Sequence, residues 1–166
     1  MKDLHHAQDA KVQVALKEAR DKGTIEWVMP LLKAFQERKE DGLREEMRDM
    51  LGSLKLSGAE ALFLGALEDP HFEDIRADLL GFLWSCGFEC PGNLSVVAAH
   101  ACAGDFRAAM EGSTLIEQIE SVGDEQDLMD AMVVVREAAN NPELEAIRPF
   151  IQAMHSHLSE LEERMV

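Results

Sequence analysis

The sequence predicts an all-α protein of stacked helix pairs, and three observations lead to that class. Apolar residues recur with helical spacing along the 166-residue chain, and no segment reads convincingly as a strand. The hydrophobic residues are rich in Leu, Ala and Met, with only seven Phe, two Trp and no Tyr, which suits helices packed on helices. Similar motifs also return at a fixed interval, as they do in repeat architectures.

Residues 69 to 87 carry the clearest helix signal. Asp69 can accept hydrogen bonds from the first free amides, and Pro70 suits the first helical position, where its missing N–H costs nothing. Gly87 can adopt the left-handed conformation that ends many helices. We therefore expect one capped helix over this stretch.

The opening of that helix returns further along the chain. Asn141-Pro142 repeats Asp69-Pro70 after 72 residues, and Asp105-Phe106 begins another apolar run midway between them. Two steps of 36 residues indicate a repeat. The residues placed in one register are Leu79, Leu115 and Ile151.

Nine helices follow from this pattern along the whole chain, each within reach of a capping or turn residue. Their expected starts lie near Asp3, Thr24, Asp41, Ser57, Asp69, Leu94, Asp105, Asp124 and Asn141. We expect stops at Gly23 and Gly104, and distortions at Pro30 and Pro149. The buried face should include Phe106, Met110 and Val133, and both tryptophans, Trp27 and Trp84, should lie in the core.

The net charge of −16 is unevenly distributed. Residues 1–56 balance 11 acids against 11 bases, whereas residues 57–166 carry 21 acids and five bases. A protein that binds nucleic acid needs cationic side chains to replace the counterions of the phosphates, so this composition argues against that class. Lys11, Lys17, Lys22 and Lys33 leave only a weak case for nucleic-acid binding by the first helices. The negative charge of residues 57–166 also repels anionic lipid surfaces and favours basic partners.

The location expected from the sequence is the cytoplasm. No apolar run approaches the ~20 residues of a membrane span, and no secretory signal is evident. Three cysteines are an odd number, which favours reduced thiols over a disulfide framework.

Four residues have the chemistry of metal ligands, namely Cys86, Cys90, His100 and Cys102. Three thiolates and one imidazole could form a tetrahedral zinc shell. The spacing favours buried or incidental thiols instead, because His100 and Cys102 point about 200° apart on a helix. Oxidation of Cys90 is a further alternative. We predict no cofactor.

The chain shows no sequence motif of an enzyme. It has no Gly-rich phosphate loop, no nucleophile elbow and no His-Glu-x-x-His helix. The histidine groups His5-His6 and His155-Ser156-His157 do not form a complete ligand set in the sequence, and we interpret them as surface histidines. We therefore expect a protein without catalytic residues.

Acidic residues are dense between Asp105 and Glu145, where 11 acids accompany only Arg107 and Arg136. One interpretation is a face that recruits a basic peptide or protein; the other is ordinary solvation, with some acids favouring helix starts. The candidate partner-binding residues are Glu117, Glu120, Asp124, Asp127 and Asp130.

Two stretches resemble a known repeat. Asp69-Pro70…Ile75-Arg76-Ala77…Leu80-Gly81 is similar to the first helix of a HEAT repeat, and Gly23…Val28-Met29-Pro30-Leu31-Leu32 is similar to the second. The spacing from Asp69 to Ile75 is one residue longer than the commonest form, and the unit at Asp105 lacks both proline and arginine. The resemblance implies one domain over residues 1–166, a right-handed α-α superhelix of about four antiparallel helix pairs plus a terminal helix.

The function expected from these observations is a non-enzymatic scaffold or adaptor for a protein partner. The partner would be basic if the acidic face binds it, and the chain itself would be a monomer or a weak homodimer. The alternative is a metal- or small-ligand-binding protein that uses Cys86, Cys90, His100 and Cys102. Fold alone does not decide between them.

Overall fold

The computed structural model describes residues 2–103 and 105–165. Within these ranges the chain forms nine α-helices and four short 3-10 helices, with no β-strand, which confirms the all-α prediction. The α-helices are α1 (Asp9–Lys22), α2 (Val28–Glu37), α3 (Gly42–Leu51), α4 (Ala59–Glu68), α5 (Arg76–Ser85), α6 (Leu94–Ala103), α7 (Phe106–Glu117), α8 (Glu125–Ala139) and α9 (Arg148–Met165). The 3-10 helices are Lys2–His5, Ile25–Trp27, Pro70–Ile75 and Pro142–Ile147. None of the described helices is both long enough and apolar enough to span a membrane.

The chain divides into two compact units, Met1–Phe63 and Leu64–Val166, called here the first and second units. The division falls within α4. In the first unit α3 packs against α1 and α2, and the 3-10 helix Lys2–His5 packs against the same two helices. Fully buried side chains from these helices form its core, among them Leu16, Leu32, Phe35 and Met47.

The helices of the second unit alternate between two layers. Helix α7 packs along α5 on one side and along α9 on the other, which gives a layer of three helices. Helices α6 and α8 pack along each other as a second layer, with α6 against α7 and α8 against α9. Consecutive helices thus alternate between layers, so each layer consists of helices two apart in the chain.

Side-chain contacts give the direction of the helices within a layer. Asp78 near the start of α5 bonds Arg107 near the start of α7, and Trp84 near the end of α5 bonds Glu111 further along α7. The contacts advance along both helices together, so α5 and α7 run parallel. Parallel neighbours within a layer are what stacked helix pairs produce.

The three residues that the sequence places in a 36-residue register lie in this layer. Leu79 on α5, Leu115 on α7 and Ile151 on α9 are all buried. Leu79 and Ile151 are the fourth residues of α5 and α9, whereas Leu115 is the tenth residue of α7. The 72-residue spacing therefore corresponds to equivalent helix positions, and the 36-residue step stays a prediction.

The expectation of one continuous helix over residues 69 to 87 is wrong in its first half. Asp69 caps by accepting from His71 N–H at 2.9 Å, but Pro70–Ile75 is a 3-10 helix that breaks at Phe72 (φ −103°, ψ 16°) before α5 begins. Phe72 and Ile75 are buried, and their packing accompanies the break. Gly87 does take the expected left-handed conformation, with φ 75°.

The same local structure returns 72 residues later. Asn141 accepts from Glu143 N–H at 3.0 Å, Pro142–Ile147 forms a 3-10 helix, and the break comes at Leu144 (φ −96°, ψ 18°). The distortion expected at Pro149 therefore lies earlier in the chain, because Pro149 occupies the second position of α9, where a missing N–H is tolerated. Asp105 lacks a following proline and caps α7 directly through Ala108 N–H at 2.9 Å.

The other helix ends follow the sequence closely. Gly23 ends α1 with φ 55° and donates its N–H to Ala19, and Asp41 and Asp124 cap α3 and α8. The distortion expected at Pro30 corresponds to the 3-10 helix Ile25–Trp27 that precedes α2. The stop expected at Gly104 lies outside the described residues.

Three residues expected to be buried are exposed. Phe106 on α7 is 58% exposed and Val133 on α8 is 47% exposed, with Met110 at 39%. Helical spacing alone had grouped them with the buried face, although each lies at its edge. The burial of Trp27 is confirmed, whereas Trp84 is only half-buried.

Close contact between α6 and α7 depends on a glycine. A Cβ added at Gly112 on α7 would lie 2.4 Å from the Cβ of Ala101 on α6 and 3.3 Å from its Cα. The 2.4 Å distance is too short for real atoms and the 3.3 Å distance is unusually tight, and the obstructing atoms are a Cα and a Cβ that cannot rotate away. The two helices can approach this closely only with glycine at position 112.

We predict that Gly112→Ala lowers the free energy of unfolding. Alanine favours a helix over glycine by ~1 kcal/mol, but forcing an extra carbon into a packed interior costs about 1–3 kcal/mol, so the clash should decide the sign. Urea unfolding followed by circular dichroism measures the change.

The matched control is Gly65→Ala in α4, where an added Cβ meets nothing within 4 Å. This variant should be as stable as the parent chain or more stable, since only helix propensity changes. An equal change in the free energy of unfolding in the two variants would contradict the proposed role of Gly112.

Candidate partner-binding groove

The cysteines expected to be inert or metal-binding are all buried. Cys86, Cys90 and Cys102 are each at most 5% exposed, and burial raises the pKa of the Cys102 thiol to about 11. A thiol with this pKa stays protonated at neutral pH and is a poor metal ligand and nucleophile. Cys90 has a left-handed backbone, with φ 50°, in the connection between α5 and α6.

The four candidate metal ligands do not form a site in the described part of the chain. No group of three or more His, Cys, Asp or Glu side chains in residues 2–103 and 105–165 is arranged to hold a metal ion. His100 is half-buried, and its pKa is lowered first by burial and then by the positive charge of Arg76, with Glu68 opposing. The geometry thus gives no support to the metal-binding alternative.

Asp127 lies inside the second unit, away from any exposed acidic face. Its carboxylate accepts from the backbone N–H groups of Leu94 and Ser95 at 2.6 and 3.0 Å, and from the Ser95 hydroxyl at 2.6 Å. These groups are the first donors of α6, so a side chain on α8 caps another helix. Asp127 is therefore a structural carboxylate and is not available to a partner.

The other four partner-binding candidates are exposed but lie on different elements. Glu117 ends α7 and accepts from the Ser113 hydroxyl at 2.6 Å, and Glu120 lies in the connection that follows. Asp124 caps α8 through Gln126 N–H, and Asp130 lies on the outward side of α8. Among these four, only Asp130 is on the side of α8 that borders a groove.

That groove, called here the α6–α8 groove, has a volume of about 380 Å³ and is open to solvent. Its apolar surface comes from Ala99, Cys102 and Ala103 on α6 and from Val134 and Ala138 on α8. Because Cys102 stays protonated, the floor carries no charge at neutral pH. The groove can accept small apolar side chains.

Two carboxylates follow the α8 edge of the groove. Glu137 lines it directly, and Asp130 lies one turn before Val134 on the same side of the helix. The two acids are seven residues apart, which is about 10.5 Å along the helix axis. Val133 and Val134 lie between them in the chain. This edge of α8 therefore has a carboxylate at each end and two valines in the middle.

The exposed face of α8 adds further apolar surface. Met129 and Val133 are 41% and 47% exposed, and they lie one turn apart on the outward side of the helix. The sequence predicted that Val133 is buried, and it did not distinguish Glu137 from the many other acidic residues. The structure shows that Val133 is exposed, and it lies one turn before Glu137 on α8.

A charged cluster between α5 and α7 was also not predicted from the sequence. Arg107 donates to buried Asp78 at 2.6 Å, and the indole of Trp84 donates to Glu111 at 2.6 Å. A Cβ on Gly81 would lie 3.3 Å from the Glu111 carboxylate, so glycine leaves room for it. Arg107, one of only two bases in the acidic segment, thus forms an ion pair from α7 to Asp78 on α5 while its side chain stays 47% exposed.

No protein-family model, curated protein or solved structure matches this chain.

We predict that Asp127→Ala destabilises the protein although it changes one small side chain. The variant leaves the buried Leu94 N–H without an acceptor, and such a loss costs about 1–3 kcal/mol. Urea unfolding measures it. Asp130→Ala removes an exposed carboxylate three residues away and should change stability by no more than ~0.5 kcal/mol. Comparable losses in both would refute the capping role.

We also predict that His100 contributes a pH dependence. Its pKa is lower in the folded chain than the ordinary 6.5, so the unfolded chain binds more protons between the two values. Stability should therefore rise with pH through this window and fall on acidification below about pH 6.5.

His100→Gln should reduce the loss of stability between pH 7 and pH 5, as measured by urea unfolding across that range. His155→Gln, which removes an exposed histidine from α9, is the matched control. An unchanged pH dependence in His100→Gln would disprove the assignment.

Proposed function

We propose that this protein is a non-enzymatic helical-repeat adaptor that binds a basic, amphipathic helix of a partner protein in the α6–α8 groove. The observation that carries the proposal is the edge of α8, where Asp130 and Glu137 enclose an apolar pair beside an apolar groove. Apolar pockets with charges at their rim are typical of helix-in-groove recognition.

The spacing defines the partner. Lys or Arg at positions i and i+7 of a helix would face Asp130 and Glu137, and Leu at i+3 and i+4 would meet Val133, Val134 and the groove. The acidic segment supplies the long-range attraction, since 11 acids accompany two bases there. Anionic partners would be repelled.

The two-layer alternation of helices in the second unit supports the adaptor class. Stacked helix pairs present continuous faces to partners, and the HEAT-like superhelix implied by the sequence is one such architecture. We extend the proposal to a cytoplasmic protein, the location that the odd cysteine count favours.

The test uses two synthetic helical peptides. One carries Lys at i and i+7 with Leu at i+3 and i+4, and the other carries Glu in place of Lys. Fluorescence anisotropy of the labelled peptides should show saturable binding of the Lys peptide alone, weakening as salt rises because rim charges are screened.

Glu137→Lys should weaken binding of the Lys peptide by about tenfold, or ~1.4 kcal/mol. Glu163→Lys on α9 is the matched control, because it makes the same charge change at an exposed helical position outside the groove. An equal loss in both variants would indicate general attraction to an acidic chain and would contradict the proposal.

A second variant tests the apolar part of the groove. Ala99→Gln places a longer side chain on the α6 wall and should also weaken binding, whereas Ala10→Gln on α1 should not. Alanine and glutamine are both helix formers, so neither change should disturb the fold. Retained affinity in Ala99→Gln would exclude the groove as the docking site.

A further inference from the structure

The first unit contains a pocket of about 310 Å³. This pocket shares no lining residue with the α6–α8 groove of the second unit. It lies between the end of α1, the start of α2 and the segment after α3. Trp27, Val28 and Leu31 form its inner surface, and Met50 and Leu54 border it. The volume falls at the lower end of the ~300–1,000 Å³ typical of small-molecule sites.

Local backbone structure creates the pocket. Gly23 turns the chain with φ 55° at the end of α1, and Trp27, at the end of the 3-10 helix Ile25–Trp27 that follows, lines the pocket. Trp27 is 7% exposed, so most of its ring is packed while one part lines the cavity. A rigid aromatic surface is a common feature of ligand pockets.

Cationic side chains surround this pocket. Arg20 and Lys55 line it, and the ammonium of Lys22 lies 5.6 Å from the centroid of the Trp27 ring. Thr24 and Ser53 add hydroxyl groups to the lining. The pocket thus combines an apolar interior with a positive mouth, in a chain whose net charge is −16.

The ion pair at the mouth can exchange partners. Arg20 bonds Glu46 at 3.1 Å, but the Arg20 side chain is 57% exposed. Exposed pairs of this kind contribute little to stability, so a ligand carboxylate could replace Glu46 at little cost. Guanidinium groups bind carboxylates well because two N–H groups can donate in parallel.

We infer that this pocket binds a small monocarboxylate with an apolar body, such as a medium-chain fatty acid or an aromatic acid. The body would lie against Trp27, Val28 and Leu31, and the carboxylate would meet Arg20 and Lys55, the two cationic residues of the lining. An amine with the same body would be repelled by the cations, and an uncharged analogue would lose the ion pair. This inference does not depend on the proposed function of the α6–α8 groove.

The experiment follows the two indole N–H signals of the ¹⁵N-labelled full chain by NMR while decanoate is added below its micelle concentration. Trp84→Phe assigns the signals. Decanoate should shift the Trp27 signal saturably and leave Trp84, which lies in the second unit, in place. Decylamine should give no saturable shift of Trp27, and decanol should bind at least fivefold more weakly.

The variant Arg20→Gln/Lys55→Gln, which removes both cations of the pocket lining, should weaken decanoate binding at least fivefold. Lys17→Gln/Lys33→Gln removes two exposed cations from the same unit, neither of which lines the pocket, and should keep the affinity. If decanoate shifts both indoles alike, or if the two double variants behave equally, the carboxylate site is excluded.

Discussion

The closest packing constraint in the second unit is the contact between Gly112 of α7 and Ala101 of α6, where no further carbon atom fits. Helix α7 touches α5, α6 and α9, so its position determines how the two layers meet. The register residue Leu115 lies one turn beyond Gly112 and is fully buried. Because packed interiors leave little free space, a displaced α7 would disturb its contacts with α5, α6 and α9 together.

The many acids of this chain have different physical roles, which charge counting treats alike. Asp105 and Asp124 cap their own helices, Asp127 caps a neighbouring one, and Asp78 holds Arg107 between two helices. These carboxylates satisfy donors or a cation inside the fold. The acids left for recognition are therefore those with an outward position, such as Asp130 and Glu137. The number of acidic residues in the sequence therefore overestimates the acidic surface open to a partner, because some of these carboxylates stabilise the fold.

The two candidate binding regions differ in electrostatics as well as shape. The α6–α8 groove is open, its floor includes a protonated thiol, and carboxylates follow its edge. The pocket of the first unit has Trp27 in its wall and cations at its mouth. We therefore propose a basic helix as the partner of the first region and a small carboxylate as the ligand of the second. Each unit thus has a chemistry of its own.

Local signals in the sequence determined the helix content, most helix starts and the 72-residue recurrence of the proline-containing helix start, because caps, glycine stops and apolar spacing act within a few residues. The same signals predicted one helix over residues 69 to 87, yet buried Phe72 and Ile75 accompany a break there. They could not separate buried Asp127 from exposed Asp130, or exposed Val133 from its buried neighbours. Only tertiary packing decided which of these side chains are buried. Burial depends on the helix that packs against each residue, and that helix is distant in the chain.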